Sequence, residues 1–481
     1  MRADRKTRPA ARTVAAVAAA LAGLVPFLFR IRAWPEIAAP AYFLSRGGRL
    51  YDEIFFPHTP LLITALGGLG AAFGFSALLF RAVVAAGMAA TSALVVAGLE
   101  RKRGFVLAAA VGMATSVLWL AYLEGLAVWP DVLIAPIVLA AALRLERSDP
   151  AGSPSPLRGA GLLLGAAILV KQTSAWVALA AVVWAVARRY RLARIGELAG
   201  MIALPYVVFA LLWGIVFRTT AHVYWTVVWP VVSSTGIRSN AGWDGLHEAL
   251  AAFLVVPAVW LLVTAAGDRR PSPMPLMVLA TAGMAWPRGD LLHLTAAVGM
   301  IALLTARCVL CAKRVFEQWR RGTLARWRLG AGTVAFAMLV TALAVAALSG
   351  GDVLASDWRG EVFYWDDPLT NRLSAEIAER VPRGGKIFLY DTHRDNLYAR
   401  SGTTTPDGLY VNTSFWYCYR GTEVDRRMTA ELRRFPGWIL YREPGPDDTE
   451  LRDTSLYRLL SGKASTAEEA PDSLTWKRLA R

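Results

Sequence analysis

The residues able to do chemistry gather in four short stretches. The stretch from Trp34 to Leu61 holds Glu36, Asp52, Glu53 and His58. A second holds Glu124 and Asp131, Lys171 and Gln172 interrupt an otherwise apolar run, and Trp286 to His293 brings Arg288, Asp290 and His293 together. Carboxylates facing cations suit group transfer from a phosphate-bearing donor: an acid takes the proton of an acceptor hydroxyl, and Lys or Arg holds the departing phosphate. The same residues suit a substrate pathway in a transporter. Each also has a structural explanation. An isolated Asp or Glu on a loop is a solvated charge or a helix cap, and Asp290 fits the start of a helix. His293 alone fits a hydrogen-bonded structural role, although its spacing from Asp290 puts both on one helical face. Lys171 must either snorkel or find an anion, because it lies between two apolar segments. There is no phosphate-cradling glycine loop, zinc spacing or nucleophile elbow. No spacing specifies a metal either, so no cofactor is assigned and a divalent cation stays open.

The elements that must position these residues are membrane helices. Of 481 residues 55% are hydrophobic and only 18% charged, with a mean hydropathy of +0.40, more apolar surface than a soluble fold of this size can hide. About eleven spans are expected, near 13–31, 76–99, 104–123, 127–145, 158–171, 174–188, 195–216, 247–266, 272–286, 290–311 and 328–349. The apolar stretch 60–73 is too short for the roughly 20 residues of a span and is expected to lie in the interface or re-enter, leaving 32–75 as one long outer loop. The net charge of +16 would suggest nucleic acid in a soluble chain. Here the excess Lys and Arg falls in short loops that all reach one face when the N-terminus is inside, so membrane orientation explains it and no nucleic acid is expected. The basic N-terminus reads as a retained signal anchor of a multi-pass plasma-membrane protein. Trp34 and Trp129 fall at outer helix ends, where an aromatic belt explains them and stacking on a sugar ring is the alternative. Cys308 and Cys311 read as two apolar helix positions.

After residue 351 the composition changes. Residues 352–481 read as a soluble extracytoplasmic domain with helices over Leu369–Val381 and Arg426–Arg434 and short buried strands at Lys386–Tyr390 and Trp438–Tyr441, a small α/β unit. The remainder, 1–351, is the membrane domain. Asp391 and His393 follow the first strand. A lid or acceptor-docking role is expected for this tail.

The stretch Trp34-Pro35-Glu36 through Gly47-Gly48-Arg49-Leu50-Tyr51-Asp52-Glu53-Ile54-Phe55-Phe56-Pro57-His58-Thr59-Pro60-Leu61 resembles the acidic first external loop of GT-C glycosyltransferases. The resemblance is to the branch with protein O-mannosyltransferases, aminoarabinose transferases and bacterial family-39-like sugar transferases. Trp129-Pro130-Asp131 opening a helix, Gly161 to Lys171-Gln172 ending one, and Arg288-Gly289-Asp290 with His293 look like the same branch. The resemblance implies an α-helical polytopic enzyme that takes a sugar from a polyprenyl phosphate outside the membrane, usually with inversion, and gives it to a glycan, lipid or protein acceptor. It implies a first-loop carboxylate as general base, with Glu36 nearest the expected place and Asp52 and Glu53 as rivals. Lys171 and Arg288 would meet the donor phosphate, with His58, Glu124, Asp131, Gln172, Asp290 and His293 near donor or sugar. The loop of that family often begins with an Asp-Glu pair, whereas here Pro35 precedes the glutamate. The alternative readings are a lipid or solute transporter or flippase without transferase chemistry, and a non-catalytic membrane assembly factor. A transporter predicts charges at helix midpoints and a repeat between halves, and neither is visible.

Overall fold

The computed structural model describes residues 8–56, 58–99, 105–123, 125–217, 253–261, 272–285, 291–321, 326–358, 360–390, 393–412, 416, 418–445, 449–462 and 464–479. The chain is mostly helical and divides into two compact units. One holds 1–30, 82–209 and 240–360; the other holds 31–81, 210–239 and 361–481.

The first unit is built from α1 (Arg8–Leu28), most of α4 (Ala77–Ala97), α5 (Phe105–Tyr122), α6 (Pro130–Glu146), α7 (Ser155–Val170), α8 (Ala175–Ala187) and most of α9 (Leu192–Phe217). The helices Met274–Ala285, Val298–Arg320 and Arg326–Ser356 follow, with a 3-10 turn at Leu291–Ala297. Among the described residues five helical stretches are long and apolar enough to cross a membrane: Ala77–Ala97, Phe105–Tyr122, Leu192–Leu212, Leu292–Cys311 and Leu339–Ser356. Of the span expected at 247–266, residues 253–261 are helical and the rest lies outside the described residues. Small residues let these helices approach closely, as bilayer packing requires. At Gly112 an added Cβ would stand 2.7 Å from Val95 Cγ1, and at Gly165 it would meet the Ile202 carbonyl and lie 2.8 Å from Pro205 Cδ. The break between α7 and α8 falls at Lys171, whose backbone is extended (φ −156°, ψ 124°) before a 3-10 turn over Gln172–Ser174.

The second unit joins the first loop to the C-terminal segment. The loop contains β1 (Ile31–Arg32), α2 (Pro35–Ser45), β2 (Ile54–Phe55) and α3 (Leu61–Phe73). The 13-residue α3 is the short apolar stretch of the sequence reading. Its Gly67 lets it approach α2, where an added Cβ would stand 3.0 Å from the Ala41 carbonyl. Two short parallel pairings tie loop to tail. Ile31 and Arg32 of β1 pair with Val362 and Phe363 of β3 (Val362–Phe363), and Ile54 and Phe55 of β2 pair with Tyr410 and Val411 of β5 (Tyr410–Val411). A four-stranded sheet has the order β4-β6-β8-β7, with β4 (Phe388–Tyr390) parallel to β6 (Ile439–Arg442) and an antiparallel hairpin of β7 (Ala464–Ala470) and β8 (Leu474–Leu479). Helices Pro368–Arg380, Glu423–Arg434 and Ser455–Leu460 accompany it. Trp416, Tyr419, Met428, Leu432, Ile439, Leu456 and Leu460 form the buried core of this segment, joined by Phe55 of the first loop.

Candidate functional site

In the second unit Glu36 lies in the first turn of α2, directly after Pro35, which starts the helix with its ring-fixed φ. Glu36 is half-buried, and its charge is felt by the hydroxyls of Tyr364 and Tyr410. Burial pushes both phenols up from their ordinary range, and Glu36 adds to the effect. Trp34 lies 6.0 Å from the Tyr364 ring, and the Arg32 guanidinium is 5.8 Å from the Trp34 ring. Arg394 stands 5.3 Å from the same Tyr364 ring and donates to both oxygens of Asp367 at 3.1 and 2.9 Å. Tyr364 itself has φ 67°, an uncommon conformation for a bulky residue.

The other first-loop acids are engaged by one arginine. Arg49 Nη2 is 2.8 Å from Asp52 Oδ2 and 2.9 Å from Glu53 Oε1, and the Arg49 backbone N–H donates to Glu53 Oε2 at 2.8 Å. His58 accepts from the Tyr51 hydroxyl through its backbone carbonyl at 2.7 Å, and its ring lies 5.3 Å from that of Phe56.

In the first unit Lys171 donates to Asp131 Oδ2 at 2.5 Å, and the two side chains are only 1% and 0% exposed. Lys171 Nζ also lies 5.6 Å from the Trp129 ring centroid. Asp131 Oδ1 and the Thr173 and Ser174 hydroxyls are buried with no partner among the described residues. The structure therefore joins Asp131 to Lys171, and Gln172 begins the 3-10 turn that follows. His293 is buried on the 3-10 turn Leu291–Ala297, which packs against α6. Glu124, Arg288 and Asp290 lie outside the described residues, as does Asp391. His393 is exposed, with φ 50°. Among the described residues no group of three His, Cys, Asp or Glu could hold a metal ion.

No family model and no curated protein matches the sequence. The structure, however, is similar over 97% of this chain and 97% of the other to a GT-C glycosyltransferase, ArnT from Cupriavidus metallidurans bound to undecaprenyl phosphate, at 14% identity and a TM-score of 0.58. The chain has the GT-C glycosyltransferase fold. The apo form of the same ArnT gives a TM-score of 0.58 at 15% identity, over 98% of each chain.

Several residues that shape this fold were not among the sequence candidates. Arg49 could have been found, because Asp52 and Glu53 follow it at three and four residues. Asp367 also carried a local signal: it precedes Pro368 at a helix start and caps it, accepting from the Thr370 N–H at 3.1 Å. The Tyr410 hydroxyl donates to Asp395 Oδ2 at 2.8 Å, and Arg307 grips both oxygens of Glu146 at 2.8 Å. Both are long-range pairs with no local signature.

Proposed function

We propose that this chain is a membrane glycosyltransferase that moves a sugar from a polyprenyl-phosphate donor to an acceptor hydroxyl on the extracytoplasmic face. The fold supports the enzyme class, and ArnT bound to undecaprenyl phosphate supports the donor class. In the proposed step Glu36 takes the acceptor's hydroxyl proton, and the freed oxygen bonds to the anomeric carbon. The bond from that carbon to the phosphate oxygen breaks, and polyprenyl phosphate leaves with the electron pair, inverting the centre.

What supports Glu36 as the base is its place in the first turn of α2, half-buried directly after Trp34 and Pro35. Asp52 and Glu53 both lie against the Arg49 guanidinium, with carboxylate oxygens 2.8 and 2.9 Å from Nη2. Glu36 stands at a helix start, two residues from Trp34, whose ring lies 6.0 Å from that of Tyr364. The donor phosphate is assigned to Arg288 and, on opening of its bond to Asp131, to Lys171. His58, Glu124, Gln172, Asp290 and His293 are proposed hydrogen-bond partners of donor or sugar. The same reading takes about eleven spans, the N-terminus inside, and residues 352–481 outside as an α/β domain for acceptor docking.

The test is transfer of labelled sugar from a panel of polyprenyl-phosphate sugars by purified protein in lipid, comparing wild type with Glu36→Gln, Asp52→Asn and Lys171→Ala. Consumption of one donor, abolished in folded Glu36→Gln and kept in Asp52→Asn, is the expected result. Full transfer by Glu36→Gln removes Glu36 as base. No transfer from any donor, with lipid or solute crossing the membrane instead, replaces the enzyme with a transporter.

A further inference from the structure

Seven arginines converge at one end of the first unit. Arg144 and Arg147 close α6, Arg158 lies in the first turn of α7, and Arg188, Arg189, Arg191 and Arg194 surround the turn from α8 to α9. Side-chain contacts hold these segments together. The Ser148 and Tyr190 hydroxyls bond at 2.6 Å, tying the end of α6 to the α8–α9 turn. Arg158 and Arg194 share Glu197, which ties α7 to α9. Arg144 lies across Gly159 of α7, where an added Cβ would stand 2.6 Å from its Nη1. The Arg188 guanidinium is 5.9 Å from the Trp184 ring, itself 5.9 Å from the Tyr190 ring.

Charge is not balanced at this end. Of the carboxylates in these segments, Glu146 is gripped by Arg307 and Glu197 serves two arginines. Arg144, Arg147, Arg188, Arg189 and Arg191 form no ion pair among the described residues, and Arg188 Nε is buried there with no hydrogen-bond partner. Membrane orientation accounts for basic residues in such loops. It accounts neither for their convergence nor for a buried N–H without an acceptor, which is costly unless something supplies one. The adjoining surface is apolar and open: Val183 and Val186 on α8 are 49% and 56% exposed, and Leu192, directly after Arg191, is 85% exposed. A soluble anion leaves that surface bare, whereas a phospholipid covers it with acyl chains while its phosphate meets the guanidiniums. We propose that this end of α6 to α9 binds an anionic phospholipid, its phosphate on Arg188 and Arg191 and its chains against Val183, Val186 and Leu192. From Arg158 the α7 helix runs about 20 Å to Lys171, so the bound lipid is separate from the Asp131–Lys171 pair and from the proposed donor site.

The experiment is native mass spectrometry of the full-length protein released from nanodiscs of mixed phosphatidylcholine and phosphatidylglycerol, reading which lipid stays bound. Wild type is expected to retain phosphatidylglycerol in preference to phosphatidylcholine. Arg188→Gln with Arg191→Gln is expected to weaken that retention about 25-fold, about fivefold for each arginine. Arg433→Gln with Arg434→Gln removes the same charge from exposed positions in the tail and is expected to change nothing. Equal loss in the two double variants means that overall charge alone attracts the lipid, and that result overturns the proposal. Leu192→Ser is expected to weaken retention severalfold through the lost chain contact. Retention unaffected by Leu192→Ser but abolished by excess inorganic phosphate identifies a soluble-anion site and overturns the lipid assignment. Should the Arg188 and Arg191 double variant not fold, Arg191→Gln alone, at an exposed position, is expected to weaken retention about fivefold, and undiminished retention there overturns the proposal by itself.

Discussion

Replacing Lys171 by Met keeps the volume of the stem and leaves Asp131 as a buried carboxylate without its cation. The two side chains are 1% and 0% exposed and bond at 2.5 Å, so neither solvent nor another described side chain can take over the charge. Removing one partner of such a pair costs about 3–5 kcal/mol, because the remaining charge keeps its desolvation penalty and loses its compensation. Contact with the Trp129 ring at 5.6 Å adds roughly 1–2 kcal/mol of cation–π attraction to the loss. Asp131→Asn should cost a similar amount through the stranded ammonium. The double variant Lys171→Met with Asp131→Leu removes both charges, and replacing a whole buried pair with apolar groups is often neutral or stabilising by about 1–4 kcal/mol. It is therefore expected to be more stable than either single variant. Denaturant unfolding in mixed micelles reads all three. Single variants costing under about 1 kcal/mol, or costs that add to within about 0.5 kcal/mol, would refute a locked buried pair.

Three further outcomes follow from local geometry. Gly165→Ala should push α7 from α9, because the new methyl meets the Ile202 carbonyl and Pro205; overpacking of this kind costs about 1–3 kcal/mol, measured by the same unfolding assay. Burial raises Asp367, but bonds from Thr370 and Arg394 more than offset this and hold its carboxyl below the ordinary Asp range. Its folded pKa is thus below the unfolded value of about 3.9, so its stabilisation is complete above that pH and is lost as pH falls through the folded pKa. Acid unfolding followed by tryptophan fluorescence should show a shallower loss below about pH 4 in Asp367→Asn than in wild type. Arg49→Ala should cost no more than about 1 kcal/mol, since its side chain is 50% exposed, and sugar transfer should persist; complete loss would return Asp52 or Glu53 as the base.

The membrane helices were legible because an apolar run of the right length has few other options in water, and the breaks between them were legible because charges mark them. Lys171 shows where that reading ends. Composition says that a lysine between two apolar segments must either snorkel or find an anion, and here it finds one; it cannot say that the anion is Asp131, 40 residues earlier. The first loop is the larger case. Two-residue strands such as Ile31–Arg32 and Ile54–Phe55 have no periodicity to detect, and their partners lie more than 300 residues away. The hairpin Ala464–Leu479 was missed because its first strand, rich in Ala and Glu, lacks the alternating apolar pattern that marks a half-buried strand. In the tail, Asp367-Pro368 and the amphipathic stretch after it did carry a local signal, and the helix there starts one residue before the expected position.

The pairing of Lys171 also bears on how the chemistry divides among the candidates. A lysine already compensated by a buried carboxylate can serve a donor phosphate only if the phosphate returns the roughly 3–5 kcal/mol needed to separate the pair. Donor binding would then strengthen in Asp131→Asn, because the Lys171 ammonium no longer has a carboxylate to leave before it meets the phosphate. A pair that only ties the start of α6 to the α7–α8 break predicts something else: lower stability in both single variants, with donor KM unchanged in whatever fraction remains folded. Measuring donor KM and stability on the same preparations of Asp131→Asn and Lys171→Met separates the two roles, because a phosphate ligand changes KM where a brace changes only the folded fraction.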